Sequence, residues 1–122
     1  MTTIPQIGEV FPLTLTDNII QAAPTAITGT AAKEVFAAQV AGIRSYITSL
    51  TVINSHATVS TVVEIRDGTS TVMHRGYALA AGGGYTIWFP TPLRGTAATA
   101  VNAYAITDGS NIYVSASGFK GP

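Results

Sequence analysis

Cysteine is absent from the sequence, and its absence excludes a disulfide framework and a thiolate metal site. Charge is scarce as well. Six basic and six acidic side chains cancel and make up 10% of the 122 residues, well below the ~25% of an ordinary soluble domain. Lys33, Arg44, Arg66, Arg75, Arg94 and Lys120 form no run, so neither a nucleic-acid backbone nor an anionic membrane would find a basic patch. The opening residues, MTTIPQIGEVFPL, lack the positive segment and apolar run of a signal peptide. Thr, Ser, Asn or Gly interrupts every apolar stretch before the ~20 residues of a membrane span. Histidine occurs only at His56 and His74, with no H-x-H or H-x-x-x-H spacing, so no metal-ligand pattern is present. The expectation is a chain without cofactor, metal, nucleic acid or membrane.

Apolar residues, by contrast, make up 47% of the chain. High hydrophobicity with low charge is the reverse of the disordered signature, and it points to a surface that meets other protein. The length fits one domain, able to bury roughly 65% of its unfolded surface without staples.

Residues 1–30 differ from the rest. Pro5, Pro12 and Pro24 break any regular element, yet Ile4, Ile7, Val10, Phe11, Leu13 and Leu15 are too apolar for a solvated tail. Three readings stand: a strand on its own domain, an arm over a neighbouring subunit, and a disordered tail. The expectation carried forward is an extended arm over 1–30, with Ile4, Ile7, Phe11, Leu13 and Leu15 as partner anchors, and a sandwich domain over 31–122.

From Lys33 the pattern is strand and turn. KEVFAAQVAG has helix-forming composition but also alternates, and a strand is favoured by its β-rich surroundings. RSYITSLTVIN (44–54) has the length and β-branching of a central strand. Its simplest register sets Tyr46, Thr48, Leu50 and Val52 on one face and Ile43, Ile47 and Ile53 on the other. Val59 to Arg66 alternates, with Val59, Thr61, Val63 and Ile65 together. Asp67-Gly68 predicts a type I′ hairpin into a strand over about 70–79. After the loop AAGGG comes an aromatic strand, YTIWF, stopped by Pro90 and Pro92. A strand over 98–106, a second hairpin at Asp108-Gly109 and a strand over 111–119 complete the series. Short strands without intervening helices predict an all-β antiparallel sandwich or barrel.

The inventory for catalysis is thin. Ser55 and His56 are neighbours and would point to opposite faces of a strand, and a set drawn from Ser55, His74 and Asp67 lacks a nucleophile-elbow signature. Asp67 and Asp108 precede glycine, where an aspartate bonds its own turn. The glycine run leads into a strand rather than a helix, so it lacks the anion site of a phosphate loop. Trp88 reads as a core or interface anchor, with stacking on a sugar ring as the other reading. The expectation is a protein that is not an enzyme.

The segments VAGIRSYI (40–47), EIRDGTS (64–70), LAAGGGYTIWFPTPLRG (79–95) and SNIYVSASGFKG (110–121) resemble, in this order, a family of small phage virion proteins. The resemblance covers about two thirds of the chain and leaves out the first 30 residues. It implies an antiparallel β-sandwich of jelly-roll type that sits on the phage head as a decoration or cement protein. The implied partners are the major capsid protein and two sister copies in a homotrimer. Such a protein would bridge capsid subunits by burying apolar surface and adding β-edge pairing. The alternative is a tail or fibre module that binds a host receptor glycan; a third reading is a lectin-like domain outside any virus.

Overall fold

The computed structural model describes residues 18–122, and over these it is a two-sheet antiparallel sandwich with no α-helix among its elements. Eight strands follow one another: β1 (Ile19–Ile27), β2 (Lys33–Phe36), β3 (Arg44–Asn54), β4 (Thr61–Asp67), β5 (Thr71–Ala78), β6 (Gly84–Arg94), β7 (Val101–Ala105) and β8 (Ile112–Gly121). The front sheet has the order β1-β8-β3-β6 and the back sheet the order β2-β7-β4-β5. First pairs with last, second with seventh, third with sixth and fourth with fifth. The β3–β8 and β4–β7 ladders then close each sheet. The chain is thus one long hairpin whose successive strand pairs alternate between the front and back sheets. The all-β sandwich expected from the strand-and-turn pattern is what forms.

The core lies between the sheets. Ile47, Leu50, Val52, Ile112 and Val114 from the front meet Val63, Ile65, Val101 and Ala103 from the back, each at most 1% exposed. Of the four residues expected to share a face, Thr61, Val63 and Ile65 are buried together in β4, while Val59 precedes the strand and is half-buried.

In β3 the register differs from the simple alternation. A bulge between Ile47 and Ser49 interrupts its pairing with both neighbours. One extra residue reverses the parity of every side chain beyond it. Ser45 and Ile47 face inward before the bulge, and Leu50, Val52 and Asn54 after it, while Tyr46 and Ile53 point outward. Opposite the bulge, Gly118 brings β8 so close that a Cβ there would fall on the Tyr46 carbonyl oxygen.

Other expectations are corrected. The KEVFAAQVAG strand is confined to Lys33–Phe36. The aromatic strand does not stop at Phe89 but runs through Pro90 and Pro92 to Arg94. It can do so because β6 is an edge strand, where a missing N–H leaves no ladder bond unmade. The β4–β5 turn spans Gly68 to Ser70, and only Gly68 has positive φ, so it is not the two-residue type I′ turn. Asp108-Gly109 makes no hairpin: it joins β7 of the back sheet to β8 of the front. Residues 1–17 lie outside the described residues, while Ile19–Ile27 of the expected arm form the edge strand paired with β8. The sandwich therefore begins at Ile19 rather than at 31.

The glycine run is a tight crossing. Gly82 donates to the Asn54 carbonyl at 2.8 Å and Asn54 to that of Gly83 at 2.7 Å. A Cβ at Gly84 would overlap the Val52 carbonyl oxygen, which explains why the chain needs glycine here.

Candidate functional site: the outer face of the front sheet

The two outer faces differ in chemistry. On the back sheet, Glu34, Asn102, Arg66 and Val72 form one row across the strands, and Tyr104, Glu64 and Arg75 the next. Glu64 is 5% exposed beneath these neighbours. Arg66 reaches it through Nε at 2.9 Å and Nη2 at 2.5 Å, and Arg75 Nε at 2.8 Å. Arg66 also lies 3.9 Å from the centre of the Tyr104 ring. The hydrogen bond from Arg66, more than that from Arg75, holds the Glu64 carboxyl below its usual range against the opposing effect of burial. On this face Arg66 and Arg75 both pair with Glu64.

The front sheet presents something else. Ile19, Phe119, Tyr46 and Arg94 make its first row, and Gln21, Ser117, Ser49 and Trp88 the second. Ser115, Thr51 and Thr86 follow, then Ala26, Tyr113, Ile53 and Gly84. Among the described residues charge appears on this face only at one end, with Arg94 and, beside it, Arg44, whose Nη1 donates to the Gly95 carbonyl at 3.2 Å. Of the ten large hydrophobic side chains exposed among the described residues, five (Ile19, Ile53, Trp88, Tyr113 and Phe119) stand on this face. Phe119 and Tyr46 stack with ring centres 4.7 Å apart.

Between its apolar ends the face sinks into a shallow trough of about 450 Å³, lined by Gln21, Ala22, Ser49, Thr51, Ser115, Ala116 and Ser117. Ser49 and Ser117 share a hydrogen bond of 2.5 Å within it, and Thr51 bonds Thr86 of β6 at 3.1 Å. Trp88 stands beside Ser49 at 73% exposure. That placement removes the core reading of Trp88 and leaves the interface anchor and the sugar platform. Ile4, Ile7, Phe11, Leu13 and Leu15 fall outside the described residues.

The edges of both sheets resist strand addition. Pro24 and a bulge interrupt β1, Pro90 and Pro92 lie in β6, and β2 is four residues long with a bulge. A register shift between Ile65 and Arg66 disturbs the β4–β5 pairing. Such features blunt edge-to-edge association.

The polar residues weighed for catalysis are each engaged elsewhere. Asp67 does not bond its own turn; it accepts from Thr96 N at 3.0 Å and Thr96 Oγ1 at 2.5 Å. Nδ1 of His56 accepts from the Thr58 and Val59 amides at 3.1 and 3.0 Å. Ser55 Oγ accepts from Asn111 Nδ2 at 2.5 Å. His74 points inward, its Nε2 3.1 Å from the Tyr85 hydroxyl and its ring edge-on to Phe89. Burial pushes the His74 pKa down and that of Tyr85 up to about 12. Among the described residues no group of three or more His, Asp or Glu is placed to hold a metal ion, and no helix is long and apolar enough to cross a membrane.

Sequence reasoning missed the contrast between the two faces. Both strands and their polarity were legible, but the rows exist only once four strands are set in register.

No protein-family model matches the chain, and no curated protein matches it in sequence.

Proposed function

We propose that this chain is a structural protein of a phage virion, a head decoration or cement protein that works as a homotrimer by burying apolar sandwich surface against protein. The observation that carries the reading is the front-sheet face: uncharged over most of its area and holding half of the exposed large hydrophobics. A lone soluble domain gains nothing from such a face, whereas a covered face gains the transfer of its apolar area out of water. The strand order supports the jelly-roll form of the sandwich, since pairing of first with last and so inward describes a long hairpin rolled into two sheets. Fold alone carries no function; the virion setting rests on the sequence resemblance. Because all four edges are blunted, the bridging acts through faces rather than through strand addition. The test is co-sedimentation of the purified chain with phage heads stripped of their decoration. Saturable binding that raises the temperature at which heads release DNA supports the reading; no binding to heads overturns it.

A second reading, a tail or fibre module that binds a host glycan, is favoured by the exposed indole of Trp88 in line with Ser49, Ser117 and Gln21. Binding to tails or host surface sugars in place of heads would support it.

A further inference from the structure

The front face carries a projection and a recess of matching kind. Trp88 stands on β6 at 73% exposure, so it does not lie down in the trough beside it. The trough opens between β1, β8 and β3, with Ala22 and Ala116 among its lining beside Gln21, Ser49, Thr51, Ser115 and Ser117. Its volume of about 450 Å³ exceeds what one indole needs. An indole has a large apolar body and one N–H donor. The trough offers apolar contact for the body and hydroxyl acceptors for the N–H. Among the described residues no charged side chain lies in this part of the face, so two copies meeting there through these residues would neither repel nor leave an ion unpaired.

We propose that the front-sheet face is a contact between copies of this chain, in which Trp88 of one copy inserts into the β1–β8–β3 trough of the next. This rests on the reading above that the face is covered by protein, and it names what covers it. Knob and recess belong to the same chain, so every copy offers one of each. Knob and recess open on one sheet face, so two copies meeting face to face satisfy both at once, as a reciprocal pair. The Ser49–Ser117 pair fits this role, because it needs no water when the indole covers it. Capsid contact is then left to other surfaces of the assembly.

Trp88 is the sole tryptophan, so its fluorescence reports this contact alone. The full chain, W88A and a trough-filling Ser117→Phe are compared by sedimentation, with circular dichroism as the folding control, and emission spectra are recorded for the two chains that keep Trp88. The wild type is expected to associate, with Trp88 emission shifted toward shorter wavelength as dilution is reversed. W88A and Ser117→Phe should each weaken association at least about tenfold, the effect of a central anchor. Mixed together, they should form pairs again, since one retains the recess and the other the knob. A wild type that stays monomeric at tens of micromolar, or a W88A chain that associates as well as the wild type, overturns the proposal. So does a blue shift of the monomer produced by maltohexaose or cellohexaose, which would make a sugar the occupant. Head binding by a chain that fails these tests would leave the virion reading standing and remove this contact, together with the homotrimer if the wild type is the monomer.

Discussion

Gly118 makes room for Tyr46: a Cβ at position 118 would fall on the Tyr46 carbonyl oxygen where β8 passes the β3 bulge. Both atoms belong to central strands, so neither can step aside without breaking the ladder. Gly118→Ala is expected to cost about 2–4 kcal/mol, at the high end of overpacking. Gly109→Ala is the control, since nothing lies within 4 Å of its Cβ position and only its φ of 84° resists; that change should cost about 1 kcal/mol. Urea unfolding of the two variants measures both.

The parity switch in β3 makes a second comparison. Ile47 is fully buried and Ile53 is 47% exposed, although both have odd numbers. Ile47→Ala should cost about 2–5 kcal/mol, while Ile53→Ala should change stability by about 0.5 kcal/mol or less. Equal costs in thermal melting would mean that the strand runs without its bulge.

Glu64 links the back face to acid. Its native pKa lies below the usual 4.5, chiefly through the Arg66 hydrogen bond. The contribution is therefore full above about pH 4.5 and is lost as pH falls through the lowered native value. Glu64→Gln should melt lower than wild type at pH 7 and approach it under stronger acid. Melting curves from pH 7 to pH 2 give the crossover.

His74 and Tyr85 act at the other two ends of the scale. Burial lowers the His74 pKa from 6.5, so the folded state binds its proton less readily than the unfolded chain. Stability should be greatest above pH 6.5 and fall as pH drops from there toward the native value. His74→Gln should flatten that stretch of the curve. Tyr85 has the opposite sense: with its pKa pushed from 10.0 up to about 12, stability is lost between those values as the unfolded phenol ionises first. Phenolate absorbance of wild type against Y85F reads this directly.

Strands whose side chains alternate over a single inward face were legible in the sequence, as β4 and β7 show: Val63 and Ile65, and Val101, Ala103 and Ala105, all lie where alternation puts them. What failed was decided by partners far along the chain. The Thr48 bulge is set by β6 and β8 together, and no local signal marks it. Pro90 and Pro92 read as terminators because the edge position that tolerates them is a tertiary fact. Asp108-Gly109 has the composition of a hairpin, and Gly109 does take positive φ, yet the amide of Gly109 bonds to Thr28 and the chain changes sheets. The candidate face was hidden for the same reason. Gln21, Ser117, Ser49 and Trp88 are dispersed through the sequence and become a row only through three ladders.

The pairing of first strand with last also sets a clock on biosynthesis. Ile19 pairs with Phe119, so β1 leaves the ribosome long before β8, its ladder partner among the described strands, exists. At about 5–20 residues per second, the wait lasts roughly 5–20 seconds. β8 also separates β1 from β3, so β1 cannot join the front sheet until β8 has been made. Meanwhile the back-sheet hairpin β4–β5 can already close. A chain that lacks β8 would therefore leave β1 outside the sheet and the apolar inner face of the back sheet partly open to solvent, a substrate for proteases instead of a slightly smaller sandwich.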